Sequence, residues 1–316
     1  MQNDQYSRAA AAPRLALTVP PECAGLRLDQ ALARLLPEHS RSRLKGWIDA
    51  GRVIVDGAAA APRRKLAGGE RIDVEPDAAD VAVAAAPQAI DLAIVHEDDA
   101  TIVVDKPAGL VVHPGAGNRD GTLLNALLHR YPELATIARA GIVHRLDKDT
   151  SGLMVVARTP VAQTDLVRQL ASRGVKREYL AVVRGDVAKA VTIDAPIGRH
   201  PVHRTSMAVV ERGKEARTHV APVERFGVAT LVRCTLETGR THQIRVHLMA
   251  IDHPLVGDPT YGARRTTAGV PAFGRQALHA HRLGFAHPVT RRALAFESPA
   301  PADFAALLVA LRSTAR

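Results

Sequence analysis

The chain has 316 residues and a formal net charge of +10, because its 42 lysines and arginines outnumber its 32 aspartates and glutamates. Its length suits about two domains, each large enough to bury a core of its own. The surplus of positive charge fits a polyanionic partner but does not define a fold. The two cysteines, Cys23 and Cys234, lie far apart in sequence and exclude a disulfide framework or a zinc finger.

Nothing in the sequence predicts a membrane segment. No run reaches about 18 consecutive apolar residues, roughly the length that a membrane-spanning helix needs. Residues 1–14 are polar and then alanine-rich, without the pattern of a signal peptide. We therefore predict a disordered tail over residues 1–20, no membrane contact, and a cytoplasmic protein.

Apolar residues at helical spacing predict two short helices near the start of the chain. Leucine and alanine recur every three or four positions over residues 28–36, and Pro37 would stop that helix. Ser40 is placed to cap a second helix, which Gly51 would end. The second helix carries three basic residues that we take as candidate RNA contacts, with a solvated charged face as the alternative: Arg41, Arg43 and Lys45.

A hairpin and an alternating strand complete this first segment. Asp56-Gly57 directly after residues 53–55 is typical of a two-residue hairpin turn, and residues 71–75 alternate like a strand. Residues 76–87 are alanine-rich and bounded by prolines, as linkers are. We therefore predict a small domain over residues 21–80, a linker over residues 81–90, and a second domain over residues 91–316.

The second domain begins with two predicted strands, residues 101–105 and 110–113, joined by a Lys-Pro-Ala-Gly turn. In the glycine-rich run at residues 115–121 the third glycine stands one position later than in a dinucleotide-binding fingerprint, and no βαβ unit surrounds the run. We therefore predict a loop. Thr122 is then placed to cap a leucine-rich helix.

A helix, a strand and a basic arm are predicted over residues 159–217. Thr159 followed by Pro160 predicts a helix start, and the apolar stripe of that helix is Val161, Ala162, Leu166, Val167 and Leu170. Residues 176–183 alternate as a strand with Tyr179 on its apolar face. Residues 173–217 contain ten lysines and arginines against five acidic residues, and a basic hairpin suited to RNA backbone contacts includes Arg199, His200 and Arg204.

The stretch at residues 141–152 carries the strongest chemical pattern. Charged residues stand between a short apolar run and a predicted buried strand at residues 153–157. Burying charged side chains costs free energy unless they form ion pairs or take part in a reaction. Asp147 has Arg145 and Lys148 close by in sequence, which favours the ionised carboxylate and suits a nucleophile. Asp149 is equally well explained as a turn residue, and a structural histidine is the more ordinary explanation of His144.

A third cluster lies at residues 237–248. A strand over residues 231–237 is predicted to turn at Gly239 into a helix capped by Thr241. On such a helix His242 and Arg245 share a face, whereas His242 and His247 are splayed by about 140°, so we predict no metal site.

These clusters together resemble the RluA-type RNA pseudouridine synthases. By that resemblance Asp147 is the catalytic aspartate, Arg145 helps to expel the target base, Tyr179 is the active-site tyrosine, and Arg245 pairs with Asp147. The first domain resembles the S4 RNA-binding module. The fold implied is α+β, with an S4-like domain followed by a mixed, mainly antiparallel β-sheet flanked by helices.

The resemblance implies isomerisation of uridine to pseudouridine in RNA, without a cofactor or a metal ion. Residues 147–150, 199–201 and 204–209 look most like the branch that modifies clustered uridines in one stem-loop of 23S rRNA. Arg240 joins the candidate RNA contacts. We expect a monomer acting on the assembling large ribosomal subunit, and another RNA such as tRNA is the alternative. The residues do not decide whether Asp147 attacks the uracil ring or the ribose.

Two other classes of protein remain as alternatives. Residues 147–151 nearly match the Asp-x-Asp-x-Thr loop of haloacid-dehalogenase-type phosphotransferases, but Ser151 stands at the fifth position. Asp258, further along the chain, lacks the second aspartate that would complete a magnesium site. The first domain and the charge would also fit a non-catalytic RNA-binding protein of ribosome assembly.

Overall fold

The structure of the protein is a computed structural model that describes residues 14–36, 41–76, 86–115, 117–203, 205–262 and 268–314. Within these ranges the α-helices are α1 (Leu28–Leu35), α2 (Arg41–Asp49), α3 (Leu123–Arg130), α4 (Pro160–Ala171), α5 (Gln243–Ala250) and α6 (Ala302–Thr314). The strands of the first half are β1 (Leu15–Thr18), β2 (Val53–Val55), β3 (Ala58–Ala59), β4 (Arg71–Val74), β5 (Ala93–Glu97), β6 (Thr101–Lys106) and β7 (Ser151–Ala157). Those of the second half are β8 (Lys176–Arg184), β9 (Val191–Asp194), β10 (Ile197–Arg199), β11 (Met207–Val209), β12 (Arg217–Arg225), β13 (Ala229–Leu236), β14 (Leu278–Ala286) and β15 (Ala293–Glu297).

The first unit packs α1 and α2 against a four-stranded antiparallel sheet of order β1-β4-β2-β3. Its core is its own cluster of buried side chains, which includes Leu28, Leu32, Leu44, Trp47 and Ile72. Asp56 and Gly57 both have positive φ values, 51° and 79°, which suits the two-residue turn between β2 and β3. The predicted hairpin is therefore confirmed.

The N-terminal boundary differs from the prediction. We expected a disordered tail through residue 20, yet β1 pairs with β4 in a register that sets Leu15 opposite Val74. The core packs against Leu15 and Leu17 because alternate residues of a strand share one face. Residues 1–13, the predicted cap Ser40 and residues 77–85, which include the first half of the predicted linker, lie outside the described residues.

The second unit is built on a nine-stranded sheet of order β5-β6-β7-β14-β8-β13-β12-β9, with β15 paired to β14. β7 and β14 run parallel, and the other pairings are antiparallel. Every residue of β7 is buried because the sheet is covered on both faces here. Met154 packs in the core that contains α3, whereas Val155 packs in the core that contains α4.

Two predictions for this unit were wrong, a strand and part of the apolar stripe of a helix that is otherwise present as predicted. Residues 110–113 form no strand, because the carbonyl oxygens of Val111 and Val112 accept the first backbone N–H groups of α3 instead. On α4, Val161 and Val167 are exposed, at 70% and 50%. The buried face of α4 includes the polar residue Gln169, which hydrogen-bonds the backbone of Ala286, so hydrophobicity alone misplaced the stripe.

No helix among the described residues is long and apolar enough to cross a membrane. The strands β10 and β11 form a separate two-stranded hairpin, as predicted for the basic arm. The loop that leads into β7, strand β8 and the start of α5 converge on one cavity in the second unit. This convergence positions the candidate site.

Candidate active site

Two cations hold the loop that carries Asp147. The Lys106 ammonium donates hydrogen bonds to the carbonyl oxygens of Pro107, Leu110 and Lys148, at 2.7 to 2.9 Å. Burial lowers the pKa of Lys106 to about 8. Arg275 donates from Nη1 to the next carbonyl, that of Asp149, over 3.0 Å. The carbonyl groups of Lys148 and Asp149, the two residues after Asp147, are therefore held in place. This restricts where the Asp147 carboxylate can point.

Close backbone contacts fix both ends of the same segment. Gly141 has φ +76°, and a Cβ there would lie 1.9 Å from the carbonyl oxygen of Ala157. Gly152 has φ +115°, and a Cβ there would lie 2.3 Å from the carbonyl oxygen of Ala280. Only glycine fits such close approaches at positive φ. This explains why glycines begin and end the stretch at residues 141–152.

Arg245 links Asp147 to a second, buried carboxylate. Its Nη1 donates to Asp147 Oδ2 over 3.0 Å, and its Nε and Nη2 donate to the two oxygens of Asp258 over 2.7 and 3.0 Å. The Asp258 side chain is fully buried. Burial opposes both charges, but their mutual contact outweighs it, raising the pKa of Arg245 and lowering that of Asp258. Asp147 Oδ1 is left unbound by Arg245.

His242 and Tyr261 complete the surroundings of Asp147. The predicted Thr241 cap is wrong: α5 begins after His242, which adopts a left-handed conformation with φ 56°. His242 Nε2 lies 3.9 Å from Asp147 Oδ1, and its Nδ1 lies 2.8 Å from the Tyr261 hydroxyl. The Arg245 guanidinium lies 5.0 Å from the centre of the Tyr261 ring, a cation–π contact.

The four predicted catalytic residues line one cavity of about 410 Å³, a volume that suits a small ligand or a single nucleoside. Tyr179 projects from β8 and is 6% exposed, and burial raises its pKa, so it is a neutral phenol near pH 7. Arg145 is exposed at the cavity wall. The structure thus brings Asp147, Arg145, Tyr179 and Arg245 together, while their roles stay predictions.

The cavity is strongly positive. Of the described side chains that line it, one is a carboxylate, Asp147, and five are guanidinium groups: Arg139, Arg145, Arg177, Arg240 and Arg245. Since Arg245 is already paired with Asp147, the remaining charge favours an anionic ligand such as the backbone of a nucleic acid. The arrangement can hold an anion around a carboxylate that is fixed in place.

The predicted RNA contacts lie in different parts of the structure and have different partners. Lys45 on α2 forms an exposed ion pair with Asp49, which contributes little to stability. Arg240 lines the cavity and donates from Nε to the carbonyl oxygen of Glu215. Arg199 ends β10, and His200 accepts N–H groups of the hairpin that follows it. The side chains of Arg41 and Arg43, and all of Arg204, lie outside the described residues.

Several side chains of the site escaped the sequence analysis. The sequence pattern marks Lys106 only as part of a turn and Asp258 only as a poor magnesium ligand. Arg177 alternates with Tyr179 on β8, is 7% exposed, and its Nε has no hydrogen-bond partner among the described residues. The alternation that placed Tyr179 on the apolar face also identifies Arg177. His144 accepts the N–H of Val155 and, with burial lowering its pKa to about 3, has the predicted structural role.

Comparison with known proteins identifies the class. A family model described as RNA pseudouridylate synthase matches residues 100–250, and an S4 domain model matches residues 26–72. A ribosomal large subunit pseudouridine synthase D of Nitrosomonas europaea is 58% identical over 301 residues, covering 94% of this chain and 88% of that protein. The protein of that name from Pseudomonas aeruginosa is 54% identical over 321 residues, covering 98% and 97%.

Solved structures agree with this relationship. The human RNA pseudouridylate synthase domain containing 4 has a TM-score of 0.56 and 25% identity, covering 70% of this chain and 93% of that one. The human RNA pseudouridylate synthase domain containing 1 has a TM-score of 0.54 and 28% identity, covering 72% and 96%.

The chain therefore belongs to the RNA pseudouridylate synthase family. It is an RNA pseudouridine synthase, an isomerase with an N-terminal S4 domain. The predicted fold class, an S4-like domain before a mixed and mainly antiparallel sheet, is confirmed. The phosphotransferase and the non-catalytic RNA-binding protein are not retained as alternatives.

Proposed function

We propose that this enzyme converts uridines of large-subunit ribosomal RNA to pseudouridine, with Asp147 as its nucleophile. One observation carries the assignment of Asp147: it is the carboxylate of an arginine-lined cavity, and Arg245 holds one of its oxygens at 3.0 Å. The ribosomal substrate is supported by the relatives, which are named as synthases of the ribosomal large subunit.

The reaction leaves the atomic composition of the nucleotide unchanged, because the proton lost to solvent from C5 is balanced by one that N1 takes up. It breaks the bond between the ribose C1′ and uracil N1, forms a bond between C1′ and uracil C5, and moves a proton from C5 to solvent while N1 gains one. Asp147 Oδ1 accepts no hydrogen bond from the described residues and is therefore the attacking atom. Attack on the uracil ring and attack on the ribose both lie within the proposal.

A base in a folded RNA must leave its stack to reach this cavity. We propose that Arg145, exposed at the cavity wall, fills the space that the base vacates. The Tyr179 ring then stacks on the extruded base. Tyr179→Phe removes the hydroxyl and keeps the ring, whereas Tyr179→Leu removes both. Loss of turnover in the leucine variant alone supports stacking. Loss of turnover in both variants indicates that the hydroxyl takes part in proton transfer.

RNA docking is assigned to two surfaces. The S4 domain carries Arg41, Arg43 and Lys45 on α2, and the hairpin β10–β11 of the second unit carries Arg199 and His200. The domain boundaries, a monomeric state, action in the cytoplasm, and the assembling large subunit as substrate belong to the same proposal. Sedimentation of the enzyme with precursor particles, compared with free rRNA, tests the last of these.

The experiment that tests the proposal is a map of pseudouridine in 23S rRNA from cells with and without this gene. Carbodiimide labelling and primer extension locate each modified position. We expect a few clustered signals to vanish without the gene, and to return with the wild-type gene but not with Asp147→Ala. An unchanged 23S pattern would contradict the ribosomal substrate, and tRNA from the same cells would then be mapped.

A further inference from the structure

A chain of hydrogen bonds runs from the basic hairpin to the active site. The backbone N–H of Met207, on β11, donates to the Tyr261 hydroxyl oxygen over 2.9 Å. The same hydroxyl lies 2.8 Å from Nδ1 of His242. A backbone amide can only donate, so the Tyr261 oxygen is an acceptor toward Met207 and its own proton is free for His242.

This chain and the Asp147 carboxylate together favour one tautomer of His242. If the Tyr261 hydroxyl donates to Nδ1, the ring proton of a neutral His242 must be on Nε2. The opposite tautomer would direct a bare nitrogen lone pair at the carboxylate oxygen Oδ1 of Asp147, 3.9 Å away. Burial opposes protonation of the ring most strongly, Asp147 and Asp258 favour it, and Arg245 and Arg145 oppose it. The net effect is to lower the pKa of His242.

The Nε2–H group of His242 therefore faces the reacting atom. Its distance of 3.9 Å to Asp147 Oδ1 is too long for a hydrogen bond, and no other acceptor for it is found among the described residues. His242 lines the cavity and its side chain is partly exposed there. The donor is thus available to a molecule that enters the cavity and meets Oδ1.

We propose that His242 donates this hydrogen bond to an oxygen of the flipped nucleotide that neighbours the glycosidic bond. Two oxygens have this position, the ribose 2′-hydroxyl and uracil O2. A donor fixed there would orient the nucleotide toward Asp147, and on O2 it would also stabilise the charge that uracil gains as the bond from C1′ to N1 breaks. The inference rests on the function proposed above for Asp147.

Tyr261 is then a positioning residue for His242. Its ring contacts Arg245, and its hydroxyl connects the hairpin backbone at Met207 to the histidine. Tyr261→Phe keeps the ring but removes the proton that selects the tautomer. Nitrogen NMR of labelled histidine reads the tautomer directly, and we expect a mainly Nε2-protonated ring in the wild type and a shift toward Nδ1 protonation in Tyr261→Phe.

The kinetic test compares His242→Leu, which has no donor, with His242→Gln, whose amide reaches the position of Nε2. Single-turnover conversion is measured on a stem-loop RNA containing a uridine located by the rRNA map. We expect His242→Leu to lose about a hundredfold in rate with RNA affinity nearly unchanged, because one catalytic donor is worth about that much. His242→Gln should recover part of the loss. Thermal unfolding of each variant checks that it is folded.

Substrate analogues identify the acceptor. The target uridine is replaced by 2′-deoxyuridine, which lacks the hydroxyl, or by 2-thiouridine, whose sulfur is a weak acceptor. If the 2′-hydroxyl is the partner, the difference between wild type and His242→Leu disappears on the deoxy substrate; if O2 is the partner, it shrinks on the thio substrate. An equal loss on all three substrates, or no loss on any, would overturn the inference.

Asp147→Ala is measured in the same series so that two failures can be told apart. Wild-type turnover by Asp147→Ala would remove the proposed function itself. An inactive Asp147→Ala beside a fully active His242→Leu would leave that function intact and remove only the role assigned to His242.

Discussion

Arg245 contacts Asp147 with one guanidinium nitrogen and Asp258 with the other two, at 2.7 to 3.0 Å. The buried carboxylate therefore fixes the plane of the guanidinium before any substrate binds. Within the part of the chain that the structure describes, Asp147 receives one directed hydrogen bond, on Oδ2, and none on Oδ1. A single arginine in this way serves both the stability of the fold and the orientation of the carboxylate that we propose as the nucleophile.

The pair formed by Arg245 and Asp258 should be important for stability. Asp258→Asn removes one charge of a buried pair and leaves Arg245 poorly compensated, which we expect to lower the free energy of unfolding by about 3–5 kcal/mol. Denaturant titration measures this. Glu224→Gln is the control, because it breaks an exposed pair with Arg312 on α6 that is worth at most about 1 kcal/mol. Equal effects of the two substitutions would contradict the importance of the buried pair.

The close approach at Gly152 predicts a strict requirement for glycine. Gly152→Ala would force a Cβ against the backbone of Ala280 at positive φ, and we expect a loss of at least about 2 kcal/mol in the free energy of unfolding. Gly46→Ala is the matched control, since Gly46 lies within α2 and no described atom lies within 4 Å of where its Cβ would be. That change should stabilise by roughly 0.5–1 kcal/mol. A neutral Gly152→Ala would refute the packing described for β7.

His144 should make folding sensitive to acid. Burial lowers its pKa from 6.5 to about 3, so between these values the unfolded chain binds a proton that the folded chain does not. Stability is therefore lost as pH falls from about 6.5 toward 3, at roughly 1.4 kcal/mol per pH unit for this one group. His144→Gln, which keeps an acceptor for the N–H of Val155, should reduce the steepness of this loss.

The control for this titration is His129→Gln, because His129 is exposed at the end of α3. Unfolding free energies of the three proteins are compared at several pH values. If His144→Gln and His129→Gln change the acid dependence equally, His144 does not carry the predicted effect.

Local sequence patterns predicted much of this fold and the centre of its site. The Asp-Gly turn after β2, the Thr-Pro start of α4 and the alternation around Tyr179 each depend on neighbours in sequence, and each agrees with the structure. Asp147 and Arg245 stand in clusters whose composition is unusual enough to be noticed without knowledge of the fold.

What could not be predicted depends on contacts between distant segments and on backbone atoms. The partners of Lys106 are carbonyl oxygens, which residue types do not reveal. Asp258 and Tyr261 reach the site only because the chain turns back after α5. The prediction of a strand at residues 110–113 was wrong for a similar reason, because carbonyl groups of this segment accept hydrogen bonds from the first N–H groups of α3.

The central claim is that Asp147 is the nucleophile, and it is tested most directly by Asp147→Asn on a stem-loop RNA from 23S rRNA. Pseudouridine is measured by chromatography and mass spectrometry of the digested RNA, and binding is measured on the same sample. Asp149→Asn, two residues away, is the control. We predict that Asp147→Asn binds the RNA but forms no pseudouridine, while Asp149→Asn does both. Pseudouridine formed by Asp147→Asn at the wild-type rate would contradict the account.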